Sequence, residues 1–148
     1  MKGKESKLKR DIIEYLDNTP GVKRIDDKHS GIEFGVDIIF EQEDVFKIPR
    51  LYGIQLKSQN IASAKRKASS SVKEIIGQLA IAFGHIFPPH DKYLDAVYVI
   101  TDGEINQYAQ EHIKSARLGF REIRFIDKQD LDKFILENKA RASTFRET

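Results

Sequence analysis

Three polar residues stand in two otherwise apolar stretches of the chain. Asp37 interrupts the run 36–40, whose other members are β-branched or aromatic, and Gln55 and Lys57 alternate with apolar residues in 51–58. Runs of this composition predict β-strands. Because side chains alternate between the two faces of a strand, Gln55 and Lys57 are expected to project to the same side. The pattern therefore predicts an amide and an ammonium group together on one strand, with a carboxylate on the strand before it.

A carboxylate, an amide and an ammonium group at one edge of a sheet suit the hydrolysis of phosphodiesters. A charge at position 37 costs several kcal/mol unless it has a partner or binds a metal ion. Mg²⁺ prefers hard oxygen ligands, which a carboxylate, an amide carbonyl and a backbone carbonyl supply. The metal would stabilise charge on the phosphoryl group, and Lys57 would position the attacking water or help to deprotonate it. This chemistry therefore predicts a metal ion, Mg²⁺ or Mn²⁺, at the constellation.

Two simpler interpretations of these residues remain open at this point. Asp37 could be a structural acid that is bonded to a neighbouring backbone amide. Gln55 and Lys57 could form the solvated face of an edge strand. Either interpretation would explain the polar residues without any chemistry.

Helices and strands that alternate along the chain must position these groups. Apolar residues at helical spacing predict helices over 6–18, 72–86, 104–116 and 128–138. β-Branched and aromatic runs predict strands over 22–25, 36–40, 51–58, 94–100 and 122–126. The short connection after the second strand predicts that it pairs with the third as a hairpin, and 60–71 is expected to be a polar, mobile connection. This order of elements predicts an α/β sandwich around a mixed sheet.

The ends of two helices carry capping residues. Thr101 or Asp102 is expected to cap the third helix, and Asp127 the last one. The tail from 140 to 148 has no apolar pattern, so we expect one domain over 1–139 and a flexible tail over 140–148.

Composition limits the class of protein. Hydrophobic residues make up 40% of the 148 residues and charged residues 32%, which is the balance of a globular domain. The chain has no cysteine, which excludes thiolate metal sites and cysteine nucleophiles. No stretch approaches the ~20 apolar residues of a membrane span, and the basic start has no apolar segment of a secretory signal behind it. We therefore expect no membrane association and a cytoplasmic location.

Charge is unevenly distributed along the chain, although the net charge is only +2. The span 45–73 contains no Asp or Glu, yet seven Lys and Arg residues fall in it. A surface of this kind would bind a polyanion; the alternative is a solvated basic loop. In the first case the run formed by Lys65, Arg66 and Lys67 would contact phosphates of a nucleic acid and would not read its bases.

The stretches GVDIIF and GIQLKS, with seventeen residues between Asp37 and Gln55, resemble the core motif of the PD-(D/E)xK nucleases. More closely they resemble Mrr-like restriction endonucleases and the related archaeal Holliday-junction resolvases, in which Gln often replaces the second acid. The leading helix, the segment IIGQLAIAFGH and the segment VYVITDGEINQYAQEHI fall where that fold places its first helix, its central helix and its next strand–helix pair. The resemblance covers most of the chain. It implies a restriction-endonuclease-like sandwich with a central mixed sheet flanked by helices.

The resemblance also implies roles for individual residues. Asp37 would be the metal-binding acid, Gln55 the second ligand, Leu56 a ligand through its backbone carbonyl, and Lys57 the catalytic lysine.

Some positions depart from the family pattern. No proline precedes Asp37, and Gln55 stands in place of an acid. Glu33 lies where many Mrr-like sequences carry another acid and is a further candidate ligand. Resolvases carry a Glu on the first helix at a position that Lys9 occupies here, and Glu5, one turn earlier on the same face, would substitute for it.

The function that the resemblance implies is a Mg²⁺-dependent DNA endonuclease of the Mrr-like restriction type or the junction-resolving type. A homodimer is expected, because cutting both strands of a duplex or a branched DNA needs two sites. The alternative is a catalytically inactive nucleic-acid-binding module of the same fold. The missing first-helix Glu favours the alternative, whereas the complete set of Asp37, Gln55 and Lys57 favours the enzyme.

Overall fold

A computed structural model of the chain describes residues 2–25, 35–116 and 121–147, with side chains from 7 to 140 in those ranges except at 139. The helices in these ranges are α1 (Lys2–Asp17), α2 (Ser70–Phe83), α3 (Gln107–Lys114) and α4 (Lys128–Glu147). The strands are β1 (Val22–Arg24), β2 (Ile38–Glu43), β3 (Pro49–Lys57), β4 (Ala96–Thr101) and β5 (Glu122–Ile126). The predicted α/β class is confirmed.

The five described strands form one mixed sheet in the order β1-β2-β3-β4-β5. β1, β2 and β3 pair antiparallel, whereas β3, β4 and β5 pair parallel. The predicted hairpin of β2 and β3 is therefore confirmed. β3 is the middle strand of the sheet, so the interpretation of Gln55 and Lys57 as the solvated face of an edge strand is wrong.

Side-chain alternation along β3 divides the core into two layers. The layer under α2 and α3 contains Leu51, Ile75, Leu79, Val97, Val99 and Ile113. The layer under α1 and α4 contains Leu8, Ile12, Ile54, Leu56, Ile100 and Leu131. Each such side chain contributes about 1.5–3 kcal/mol when it is removed from water. Both faces of the central part of the sheet are therefore covered by helices.

The start of α3 differs from the prediction. The helix begins at Gln107, and its N-cap is Asn106, whose side-chain oxygen accepts the N–H of Ala109 at 2.8 Å. The prediction that Thr101 or Asp102 caps this helix is therefore wrong. Thr101 is the buried last residue of β4, and a connection of several residues separates the strand from the helix. Residue type alone predicts a good cap at all three positions, and the path of the backbone selects one of them.

The last helix begins as predicted and ends later. The Asp127 carboxylate accepts the N–H of Asp130 at 3.2 Å, which confirms Asp127 as the cap. α4 continues to Glu147, so most of the segment expected to be a tail is helical. Its flexibility remains a prediction. None of the helices within the described ranges combines the length and the apolar character needed to cross a lipid bilayer.

Asp95 joins the beginnings of β3 and β4 at the end of the sheet away from Asp37. Its carboxylate accepts the N–H of Leu51 at 2.8 Å and lies 3.0 Å from the ammonium of Lys92, while its own N–H donates to the Leu51 carbonyl at 2.8 Å. Burial raises the pKa of Asp95, but the Leu51 N–H and the Lys92 ammonium together outweigh it. The pKa of this carboxyl therefore lies below its ordinary value.

We expect Asp95→Asn to lower the free energy of unfolding by about 1 kcal/mol at neutral pH, because the amide keeps an acceptor but loses the charge. An acid with a lowered pKa stabilises the fold above its unfolded pKa of about 3.9, and this contribution is lost as the pH falls through the folded value. Urea denaturation at pH 7 and pH 3 of wild type, the variant and the exposed control Asp132→Asn measures the effect. A deficit that is equal at both pH values would contradict this account.

Candidate active site

Asp37 lies where β2 and β3 stop pairing. The last backbone pair is Ile38 with Ile54, and just beyond it the Asp37 N–H donates to the Ile54 carbonyl at 2.7 Å. The next N–H that β3 directs to this side belongs to Leu56, and it donates to the Asp37 carboxylate at 2.8 Å. A hydrogen bond to a charged group contributes about 1.5–3 kcal/mol. Asp37 therefore has the structural bond to a backbone amide that the simpler interpretation expected, and this bond fixes its position at the end of the central strand.

Gln55 is buried beside this end of the strand, with 1% of its surface exposed. Its Nε2 donates to the carbonyl of Gly35 at 2.7 Å. Because a carbonyl can only accept, this bond fixes which way the amide points. The other amide atom, Oε1, is buried and has no hydrogen-bond partner in the described part of the chain. A buried oxygen without a partner costs about 1–3 kcal/mol, so a ligand donor or a cation at Oε1 would stabilise the site.

Gly35 brings α2 close to Gln55. Its φ is +79°, and a Cβ at this position would collide with the backbone carbonyl oxygen of Gln78 in α2. Glycine is the residue that satisfies both conditions, because it adopts positive φ without strain and has no side chain. The close contact holds the Gly35 carbonyl between α2 and β3, where it accepts the Gln55 amide.

Lys57 ends β3, and 17% of its side chain is exposed. Its ammonium lies 3.4 Å from the carboxylate of Glu74 in α2. The same Glu74 oxygen is 3.4 Å from the side-chain nitrogen of Gln78, one helical turn further on. Sequence reasoning did not find Glu74. The available signal was its position as the first acid after the acid-free span 45–73, at the start of the second helix.

The structure brings some of the predicted site residues together, and others lie outside the part of the chain that it describes. Asp37, Gln55, Leu56 and Lys57 all lie at the end of β3. Because the N–H and the C=O of one strand residue point to the same side, the Leu56 carbonyl faces the side of Asp37. Glu33 lies outside the described residues, and so does the side chain of Glu5, whose backbone belongs to α1.

The donors present fit a small, hard cation. They are one carboxylate, one amide oxygen without a described partner, and one backbone carbonyl, which are the ligand types that Mg²⁺ prefers. Mg²⁺ is commonly held by one or two carboxylates together with water and substrate phosphates. Within the described ranges, no group of three or more His, Cys, Asp or Glu side chains could hold a metal ion. Asp37 supplies the carboxylate of the predicted ligand set that the structure describes.

The connection after Lys57 is not the loose segment that its composition suggested. Ser63 exchanges hydrogen bonds with Asn106, at 3.2 Å through its N–H and 3.0 Å through its carbonyl. Ile61 bonds to Glu104 and Asn106, and the ring of His112 donates to the Ala64 carbonyl at 2.8 Å. These contacts hold the loop against the start of α3.

The basic residues of this loop point away from the protein. The three exposed residues between Ala64 and Ala68 are Lys65, Arg66 and Lys67. Ser69 then caps α2, since its hydroxyl accepts the N–H of Val72 at 3.3 Å. The basic run is therefore held in place between Lys57 at one end and the helix that carries Glu74 at the other.

No protein-family model matches the chain, and no curated protein matches it either. The likeness to PD-(D/E)xK nucleases therefore remains a hypothesis that depends on the motif residues.

We expect Gly35→Ala to lower the free energy of unfolding by about 2–4 kcal/mol, because it combines a strained φ with a clash against the α2 backbone. Gly77→Ala, in the α2 helix that Gly35 contacts, is the control. Nothing lies within 4 Å of a Cβ there, so this change should raise stability by about 0.5–1 kcal/mol through helix propensity. Urea denaturation measures both. Equal changes in the free energy of unfolding for the two variants would show that the contact between Gly35 and α2 does not stabilise the fold.

Proposed function

We propose that the protein is a Mg²⁺- or Mn²⁺-dependent DNA endonuclease with a restriction-endonuclease-like sandwich fold. The observation that carries the proposal is the buried Gln55 Oε1, which has no partner among the described residues and lies on the strand that ends beside the Asp37 carboxylate. Lys57, two residues further along the same face, supplies the ammonium group that phosphodiester chemistry needs. The order of helices and strands around a mixed sheet supports the fold assignment.

The proposed site divides the work between its residues. Asp37, Gln55 Oε1 and the Leu56 carbonyl would hold the metal ion, which when bound stabilises negative charge on the phosphoryl group. Lys57 would bind the scissile phosphate and orient the attacking water through its N–H groups. Asp37 can serve in this way while one of its oxygens accepts the Leu56 N–H, because a carboxylate has about four lone-pair sites.

DNA is the proposed substrate because the basic loop adjoins the site. The phosphate contacts would come from Lys65, Arg66 and Lys67. Such contacts depend on charge and give affinity without base recognition. The loop is held by hydrogen bonds to 104–112, so its cations would meet the backbone of a bound strand with little further ordering.

The proposal includes a homodimer and a cytoplasmic location. Two copies are needed to cut both strands of a duplex or a branched DNA at symmetric positions. The turn between β2 and β3 exposes two large apolar side chains that a second copy could cover. Val45 is 89% exposed and Phe46 is 82% exposed. The Asp44 side chain holds this turn by accepting the N–H groups of Phe46 and Ile48 at 2.8 and 3.0 Å.

A second candidate is a nucleic-acid-binding module of the same fold that does not cut. The observation that favours it is that the described residues contain no group of three or more His, Cys, Asp or Glu side chains that could hold a metal ion. Such a module would use the basic loop and Lys57 for phosphate binding alone. It predicts the same binding to DNA in EDTA and in Mg²⁺, with no product in either.

We expect Mg²⁺ or Mn²⁺ to permit cleavage of supercoiled plasmid or a four-way junction, and EDTA to prevent it. Asp37→Asn keeps an acceptor for the Leu56 N–H but removes the charge, so it should fold and lose at least ~100-fold of the cleavage rate. Lys57→Ala should lose a similar factor. The measurement is single-turnover cleavage on gels, with circular dichroism to check folding.

Binding without cleavage under every divalent ion would favour the second candidate. Cleavage that survives both substitutions in the folded variants would contradict the proposed site itself.

A further inference from the structure

Lys57 has a flexible side chain whose head group must be held if it is to act at one phosphate. A free lysine side chain loses conformational freedom when its head group is fixed, and this loss opposes binding. In this structure the head group is held, because its ammonium lies 3.4 Å from Glu74 in α2 and 17% of the side chain is exposed. Part of the ordering cost is therefore met before any substrate binds.

We propose that Glu74 is a positioning residue for Lys57 and that it fixes the ammonium group at the end of β3 for contact with the scissile phosphate. This inference rests on the proposed function. An ammonium group has three N–H donors. One donor is directed to Glu74, and two remain for a phosphoryl oxygen and the attacking water.

Glu74 is itself oriented by its own helix. The side chain of Gln78, one turn further along α2, lies 3.4 Å from the same Glu74 oxygen that faces Lys57. The backbone of Gln78 is the part of α2 that packs against Gly35. One turn of α2 therefore carries both the Gln78 backbone, which packs against Gly35, and the Glu74 carboxylate, which faces Lys57.

The exposure of Glu74 indicates that it contributes little to the stability of the fold, so its positioning of Lys57 can be tested separately. Its side chain is 62% exposed, and ion pairs of that kind contribute little to stability. Substitution should therefore leave the fold intact. A negative charge near a bound polyanion also weakens binding, so removal of the charge should tighten DNA binding slightly while the loss of orientation slows the reaction.

The test compares Glu74→Ala and Glu74→Gln with the control Glu111→Ala. Glu111 in α3 is also exposed and also accepts from a glutamine one turn away, Gln107 at 3.0 Å, but it contacts no lysine among the described interactions. Single-turnover cleavage at saturating DNA in Mg²⁺ measures the reaction, and fluorescence anisotropy in EDTA measures DNA affinity.

For Glu74→Ala we expect cleavage about tenfold slower and DNA binding unchanged or about twofold tighter. Glu74→Gln keeps a neutral acceptor for the ammonium group and should recover part of the rate. Glu111→Ala should change neither quantity. If Glu74→Ala cleaves DNA at the wild-type rate, or if a loss of DNA affinity explains its lower rate, the inference is overturned.

A second readout does not depend on cleavage. Reductive methylation with ¹³C-formaldehyde places an NMR reporter on lysine head groups, and Lys57→Arg identifies the Lys57 signal. Glu74→Ala should shift that signal and Glu111→Ala should not. If wild type cuts no DNA, the proposed function fails, and this signal still decides whether Glu74 holds Lys57. An unchanged Lys57 signal in Glu74→Ala overturns the positioning role in either case.

Discussion

Where β2 and β3 separate, the sheet needs an acceptor for a main-chain N–H that no strand residue can supply. Asp37 fills this need with its side chain, which accepts the Leu56 N–H at 2.8 Å. A buried N–H without a partner costs about 1–3 kcal/mol, so the fold itself requires an acceptor at this position. The same bond places a carboxylate at the end of the central strand, which is the strand that also carries Gln55 and Lys57.

The identity of residue 55 also follows from its contacts. Its Nε2 donates to the Gly35 carbonyl at 2.7 Å, and an ionised carboxylate could not make this bond because it has no donor. A glutamate there would place a negative charge against the Gly35 carbonyl oxygen. Glutamine satisfies that carbonyl with its nitrogen and leaves its buried oxygen without a partner among the described residues. The contact with Gly35, which packs against α2, therefore accounts for an amide and not an acid at position 55.

Local patterns in the sequence predicted most of the fold. The alternation of apolar and polar residues placed Gln55 and Lys57 on one face of a strand, and the sheet confirms a hairpin of β2 with β3. The cap of α3 was predicted wrongly because Thr101, Asp102 and Asn106 are all suitable types, and only the route of the chain decides between them. The last helix was predicted too short because its apolar spacing ends near Asn138, while helix-favouring residues continue it to Glu147.

The partners of the site residues could not be predicted in the same way. Gly35 and Glu74 lie far from β3 in sequence, and both act through their position on or against α2. In the sequence, a glycine at position 35 and a single acid at the end of a basic span are weak signals. Their roles become visible only when α2 is packed against the sheet. Strand periodicity therefore predicted the shared face of Gln55 and Lys57, whereas tertiary packing determined what holds them.

Selective binding of a divalent cation at Asp37 and Gln55 is the central claim, and paramagnetic broadening by Mn²⁺ tests it directly. The Gln55 side-chain amide NMR signals should broaden at substoichiometric Mn²⁺, recover on addition of Mg²⁺, and stay sharp in Asp37→Asn. Asn138 in α4 provides an internal control, because it is also buried and its Oδ1 also has no described partner. Its amide should remain sharp. Gln55 signals that do not broaden, or that broaden equally with those of Asn138, would contradict the account.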